Sequence, residues 1–476
     1  MYKKHEHIHF MGIGGIGMSG IARILKLQGY TVSGCDECTT SKTIHELRKI
    51  DCLIHDGHDI THVHNADVLV YSSAVQSDNV EVVAAMKKGI PVIPRAIMLA
   101  ELMRTKYSIA VSGAHGKTTT TSLIAHILIE AEKQPTVVVG GVLKNIDTQS
   151  CLGESNILIA EADESDRSLL YLNPTMAVVT NIDAEHLDTY KDLDDIKHTF
   201  KNFLARLPFY GKAFLCNDDE NVRSILPLHH INVVKYGLND DADIIGTITD
   251  LGKSQSTFEV YRSSFVLEHG TKEKQLLGTI SLNVPGVHNV QNALAALGVC
   301  LEFEVPFETI AHALENFKGV ERRFEFKGTY NGAEIFDDYG HHPTEMHCTL
   351  QVAEKRKNKR LIVVFQPHRF SRTMHLWDDF VQLFVKADAP YHAATIYVTD
   401  IYPASEKPIE NITSVRLVEQ IKKLRPDLDI RYIQQHDQIA ESVKNQLQEG
   451  DLLLTLGAGK AYQIGDLLVG LEKNGN

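Results

Sequence analysis

The stretch SGAHGKTTTT, residues 112–121, follows the apolar run YSIAVSG and opens a segment in which Leu123, Ile124, Ile127 and Leu128 recur at helical spacing. Gly113, Ala114, His115, Gly116, Lys117, Thr118 and Thr119 thus stand at a strand-to-helix junction. A phosphate needs that arrangement: backbone N–H groups aimed at the anion, a lysine for charge and a threonine hydroxyl for a magnesium ion. The full G-x-x-x-x-G-K-[ST] spacing is not met, because Val111 stands five positions before Gly116. The loop is a shorter G-x-x-G-K-T and still reads as a phosphate cradle.

A second cradle lies upstream. MGIGGIGMSG, residues 11–20, fits G-x-G-x-x-G through Gly12, Gly14 and Gly17, after a short apolar strand and before a helix marked by Met18, Ile21, Ala22 and Leu25. Asp36 ends the next strand, YTVSGCD. The loop alone fits an NAD-dependent oxidoreductase, or a tight turn that holds nothing. An oxidoreductase with its own dinucleotide fold has little use for a triphosphate loop as well. Two cradles point to two phosphorylated ligands, one of them ATP.

The chain has 476 residues, too many for one core, and a net charge of −13. That charge favours solubility and argues against sequence-independent nucleic-acid binding. No run approaches the roughly 20 apolar residues of a membrane span, and the N-terminus lacks the apolar core of a signal peptide. The seven cysteines are odd in number and scattered, as for reduced thiols in a cytoplasm. Cys35 and Cys38 form a C-x-x-C, but no second pair completes four metal ligands, so a metal or redox role is set aside.

Further along, two apolar runs end in polar clusters. NILIAEADESD carries Glu161, Asp163, Glu164 and Asp166; TMAVVTNIDAEHLDTY carries Asn181, Asp183, Glu185, His186 and Asp188. Acidic oxygens beyond strand ends suit Mg²⁺, and His186 is either a metal ligand or a capping residue. Residues 231–283 read as a β insertion. VPGVHNVQNALAALGVC starts a helix in which Asn289 and Asn292 either meet an adenine edge or, for Asn289, cap the helix. After residue 321 strands and helices alternate again, with DDYGHHPTE (337–345) and QPHRFSRT (366–373) at strand ends. Arginines there suit a carboxylate or a phosphate.

GIGGIGMSG, HGKTTTT, EADESD, DDYGHHPTE and QPHRFSRT, in this order along the whole chain, resemble the Mur ligases of peptidoglycan synthesis. The resemblance implies an α/β protein of three domains. Residues 1–106 form a Rossmann-like UDP-sugar-binding domain. Residues 107–321 form a central P-loop ATPase domain, with a parallel sheet and a small β insertion. Residues 322–476 form a Rossmann-like C-terminal domain that receives the amino acid. It implies that ATP phosphorylates the lactyl carboxylate of UDP-N-acetylmuramate and that the amine of L-alanine then attacks the acyl phosphate, leaving ADP and phosphate. A sibling activity, joining a whole tripeptide to the same sugar nucleotide, is the alternative.

By the same resemblance, Lys117 contacts the β- and γ-phosphates, with Gly113 to Thr119 around them. Thr118 and Glu161 hold one Mg²⁺, and His186 with Glu161 a second. Asn289 and Asn292 contact adenine, and Arg323 and Asp338 lie near the nucleotide. Gly14, Gly15, Gly17, Met18, Ser19, Asp36, Ser72 and Ser73 hold the UDP-sugar. Tyr339, His341, His368, Arg369 and Arg372 receive the amino acid, with His341 and Arg372 acting in catalysis. A cytoplasmic monomer or homodimer is expected. The sequence departs from the family twice: Ala114 stands where the loop usually has threonine, and Lys460 where aspartate is common.

Overall fold

Strand His7–Met11 is nearly all buried, and it lies at the centre of a five-stranded sheet. A computed structural model describes residues 6–72, 75–143, 148–266, 271–356, 358–386 and 395–475. Among these, the first sheet is parallel, in the order Leu53–Asp56, Thr31–Asp36, His7–Met11, Val68–Tyr71, Val92–Pro94. Continuous apolar runs, rather than alternating ones, are what a parallel strand covered on both faces requires. The strand Leu53–Asp56 has no such run, being an edge with polar His55 and Asp56, and it is not evident from the sequence.

The second sheet has ten strands. Its parallel centre runs Asn232–Gly237, Lys212–Cys216, Met176–Val179, Tyr107–Ser112, Ile157–Glu161, Thr136–Leu143. Ile244–Leu251 extends it in parallel, and Ser256–Val266 and Thr271–Leu282 follow as an antiparallel hairpin. These last strands are the expected β insertion. Helix Lys117–Glu130 buries Leu123, Ile124, Ile127 and Leu128 completely, against helix Val287–Glu302 and the sheet. Each such side chain contributes about 1.5–3 kcal/mol, so the loop before the helix is anchored to a rigid element. The third sheet, of six strands, is parallel except for the antiparallel edge Glu325–Tyr330.

The α/β class and the three-domain organisation expected from the sequence are therefore present, one sheet to each domain. Helix Ile16–Leu27 packs on strands Thr136–Leu143 and Thr148–Cys151 of the second sheet. One apolar cluster runs through both, joining Ile21, Ala22 and Leu25 to Val138 and Leu158. This packing brings the first glycine loop to the second.

Candidate active site

The loop between Ser112 and Lys117 is shaped by two glycines with no alternative. Gly113 has φ +136°, and a Cβ there would lie 2.1 Å from Thr180 Oγ1; Gly116 has φ +82°, and a Cβ would lie 2.7 Å from Asn292 Oδ1. The loop is braced from the next strand end. Ala114 N donates to Asn181 O (3.2 Å) and His115 N to Asn181 Oδ1 (2.8 Å), while His115 O accepts from Asn181 Nδ2 at 3.0 Å. On the loop's side these bonds use only backbone groups, so none of them depends on a hydroxyl at position 114.

Lys117 Nζ donates to Gly113 O (2.6 Å), Ala114 O (3.1 Å) and Glu164 Oε1 (2.7 Å). Burial works against its charge, but Glu164 and Asp163 outweigh it and hold the ammonium above its ordinary pKa. Glu161 accepts from Gly140 N at 2.9 Å. Burial raises its pKa, with that bond, Lys117 and the Thr118 hydroxyl opposing the rise. His186 sits in the left-handed region, at φ +57°. Its Nε2 lies 3.6 Å from Glu164 and 3.8 Å from Glu185. One ligand atom from each of these three residues falls within 4.8 Å of the others. The structure thus groups His186 with Glu164 and Glu185 rather than with Glu161. Glu164 Oε2 is buried with no hydrogen-bond partner, which fits a site built for a cation.

Two cavities flank the loop. One, of about 370 Å³, is lined by His115, Gly116, Thr119, Asn289, Asn292, Arg323 and Asp338, all expected to bind nucleotide. Asn289 does not cap its helix; Gly286 holds that position, and Asn289 Nδ2 donates to Pro285 O at 2.7 Å. Asn292 Oδ1 accepts from Thr120 at 3.1 Å, so it also braces the loop helix. Burial raises the Asp338 pKa to about 6, with Arg323 opposing the rise.

The other cavity, of about 290 Å³, lies between the two glycine loops and is lined by Gly15, Gly17, Met18, Ser72, Arg95, Lys117, Glu161 and Asp163. Gly14 N donates to Asp36 Oδ2 (2.8 Å) and Cys38 N to Asp36 Oδ1 (2.9 Å), so Asp36 holds the loop's shape. Ser19 is buried, its hydroxyl donating to Ile16 O at 3.0 Å, and it is not among the residues lining the cavity. Ser73 lies outside the described residues. Arg95 is a residue that sequence reasoning missed. Its guanidinium lies 3.6 Å from Asp163, and a Cβ on Gly17 would come within 2.9 Å of it. The signal was its place directly after a parallel strand, on the side where α/β sheets bind ligands.

The third domain closes on this centre through charge. His341 Nε2 lies 3.6 Å from Glu185 and its Nδ1 3.5 Å from Glu345. Its ring is 5.4 Å from that of Tyr339 and 5.8 Å from that of His368. Arg372 donates to Glu185 (3.1 Å) and contacts His368 Nδ1 (3.2 Å). Arg369, at φ +71°, donates to Glu406 (2.6 Å) and Asp188 (3.3 Å). The five residues expected to receive an amino acid are together, but both arginines are engaged by protein carboxylates. The cleft between them, lined by Glu185, His186, Arg369 and Arg372, holds about 20 Å³, space for a single water. Burial opposes the Glu185 charge, yet His341, His115 and His186 hold the carboxyl well below its usual range. Lys460 is exposed and its backbone N–H donates to Gln366 Oε1 at 2.6 Å.

Two cavities flank one phosphate loop and a third α/β domain closes on them, an arrangement suited to a three-domain nucleotide-dependent ligase. Three family models match in succession: the Mur ligase family catalytic domain over residues 7–107, the Mur ligase middle domain over 111–300 and the Mur ligase glutamate ligase domain over 322–459. The chain belongs to the Mur ligase family. It is 49% identical, over 98% of each chain, to the UDP-N-acetylmuramate–L-alanine ligase of Geobacter sp. strain M21. Among solved structures it resembles the UDP-N-acetylmuramate–alanine ligase MurC of Thermotoga maritima, with TM-score 0.79, 24% identity, and 99% and 100% of the two chains covered. It also resembles a murein peptide ligase of Psychrobacter arcticus, with TM-score 0.69, 23% identity and 98% of each chain covered. These two likenesses show the fold alone. No helix among the described residues is long and apolar enough to cross a membrane.

Proposed function

We propose that this chain joins L-alanine to the lactyl carboxylate of UDP-N-acetylmuramate at the expense of ATP, a step in building the peptidoglycan precursor. The observation that carries the reading is the wall between the two cavities. Gly116 faces the one with Asn289 and Asn292, and Lys117 and Glu161 face the one with the first glycine loop. A phosphoryl donor on one side and an acceptor on the other meet across this loop.

The lactyl carboxylate oxygen attacks the γ-phosphorus, the bond to the β-phosphate oxygen breaks, and ADP leaves. The amine of L-alanine attacks the acyl carbon, the carbon–oxygen bond to phosphate breaks, and an amide forms. Such transfer asks for positioning and charge neutralisation. Lys117 supplies charge at the transferred group, and Arg95 and the first loop hold the sugar nucleotide. Mg²⁺ would neutralise charge on the phosphates; Thr118 and Glu161 would hold one ion, and Glu164, Glu185 and His186 a second. Burial, with His341, Arg372 and Arg369 nearby, lowers the His368 pKa to about 3. So weak a base orients the amine through a hydrogen bond, and the proton released as the amide forms leaves with the departing phosphate. The reading places the reaction in the cytoplasm, with ATP.

Hydroxylamine tests the intermediate. With ATP, Mg²⁺ and UDP-N-acetylmuramate but no alanine, it should give the hydroxamate of the sugar nucleotide and matching ADP. ADP formation that is indifferent to the sugar nucleotide would contradict the reading.

A further inference from the structure

A cluster of metal-binding side chains lies in the first domain, away from both cavities. His9 is on the central strand, Cys35 at the end of the next, His62 in the segment after strand Leu53–Asp56, and Glu81 on helix Val80–Lys87. One ligand atom from each falls within 4.8 Å of all the others. Glu81 gathers them. Its Oε2 is 3.2 Å from His9 Nε2 and 3.2 Å from Cys35 Sγ, and its Oε1 is 2.8 Å from His62 Nδ1. His9, Cys35 and Glu81 are fully buried, and His62 has 11% of its side chain exposed.

We propose that His9, Cys35, His62 and Glu81 form a structural Zn²⁺ site that holds the first glycine loop in place. Two imidazoles, one thiolate and one carboxylate make a four-ligand set of the kind zinc takes tetrahedrally. Zinc–ligand bonds of about 2.0–2.3 Å put tetrahedral donors roughly 3.3–3.8 Å apart, so small side-chain shifts complete the site.

A second group of contacts is already set as it would be around a metal. His9 Nδ1 meets Ser33 Oγ at 2.7 Å, which fixes the ring with Nε2 aimed into the cluster. Asp59 N donates to Glu81 Oε1 at 3.0 Å and orients the carboxylate. His58, 23% exposed, has Nδ1 3.3 Å from Cys35 Sγ and 3.6 Å from Glu81 Oε1, at the edge of the cluster. Charge balances as well: Zn²⁺ against Glu81 carboxylate and Cys35 thiolate is neutral, with the thiol proton released to solvent.

The C-x-x-C of the sequence is thus not the metal motif. Cys38 is exposed, with its Sγ on Thr40 at 3.7 Å. Cys35 finds its partners elsewhere, and its carbonyl accepts from Gly12 N (2.9 Å) and Ile13 N (3.1 Å). A metal on its side chain therefore steadies the loop on its main chain.

Full-length protein, stripped with a chelator, is titrated with Zn²⁺ against a chromophoric competitor, and separately with Co²⁺. One tight equivalent of Zn²⁺ is expected, together with a thiolate-to-Co²⁺ charge-transfer band in the near ultraviolet. Cys35→Ser should abolish the band, and Cys35→Ser and Glu81→Gln should each weaken Zn²⁺ binding at least about tenfold. His186→Ala should leave both unchanged, which separates this site from the active centre. Zn²⁺ should raise the Tm of the parent and not of Cys35→Ser. Absence of a tight equivalent, a Co²⁺ spectrum without the thiolate band, or equal affinity in parent and Cys35→Ser would overturn the proposal.

Discussion

Arg372 of the third domain and Glu185 of the second form an ion pair at 3.1 Å, with only 9% and 7% of their side chains exposed. A substrate carboxylate that uses the Arg372 guanidinium must share or displace Glu185. The cleft beside the pair holds about 20 Å³, too little for an amino acid, so binding one here would require the seam between the domains to open. Arg372→Lys keeps the charge and loses the planar fork. Steady-state kinetics should show the L-alanine KM raised at least about tenfold, with the ATP KM changed far less. Equal changes in the two would remove Arg372 from the amino-acid site.

Glu185→Gln leaves a buried guanidinium without its counter-charge, a loss of about 3–5 kcal/mol for pairs of this kind. The lowered carboxyl pKa agrees with a strongly held anion. Thermal unfolding should show a lower Tm for the variant. A double substitution with Arg372→Met should recover part of the loss, whereas strict additivity would show that the pair is not coupled.

Lys117→Ala should reduce ligation at least about a hundredfold, as expected when a charge at a transferring phosphoryl group is lost. Binding of UDP-N-acetylmuramate, read by calorimetry, should persist, because the first glycine loop is intact. Near-normal turnover by the folded variant would sink the phosphate-loop assignment. His186→Ala should instead shift the Mg²⁺ titration of activity to higher concentration, and superimposable curves would make His186 structural only.

Gly15→Leu tests the first loop without straining it. Gly15 has φ −63° and ψ 143°, and a Cβ there meets nothing closer than 3.4 Å. The added side chain should fold normally, fill the cavity shared with Lys117 and abolish sugar-nucleotide binding while ATP affinity is roughly kept. Unchanged binding of UDP-N-acetylmuramate would place that ligand elsewhere.

His115 provides a pH signature. Burial alone would lower its pKa, but a hydrogen bond with Asp183 at 3.2 Å and the Glu345 carboxylate 3.4 Å away raise it to about 10. The unfolded value is about 6.5. The folded pKa is the higher one, so this group's contribution to stability is complete below pH about 6.5 and is lost as pH rises through about 10. Between those limits the Tm of the parent should fall more steeply than that of His115→Gln. Parallel curves would show that the imidazolium is not held by these carboxylates.

The two glycine loops were legible in the sequence because strand, turn and helix are local signals read over ten residues. The polar strand ends were legible for the same reason. Their pairing was not. Lys117 meets Glu164 47 residues away, and Arg372 meets Glu185 across 187. His186 points to Glu164 rather than Glu161 through a left-handed backbone that no spacing rule announces. Asp36 was expected among the residues that hold the UDP-sugar, and its carboxylate accepts from Gly14 N and Cys38 N, since the motif specifies an acid but not what it bonds. Cys35 looked unsupported because its partners His9, His62 and Glu81 come from separate elements, His9 and Glu81 being 72 residues apart.

Mass spectrometry of the products from UDP-N-acetylmuramate, ATP, Mg²⁺ and a pool of all amino acids tests the central claim most directly. The account predicts one dominant new sugar nucleotide, heavier by one alanine residue, with one ADP and one phosphate per product and only traces from glycine and serine. No amide product, or a preference for the cell-wall tripeptide when it is added to the pool, would contradict it.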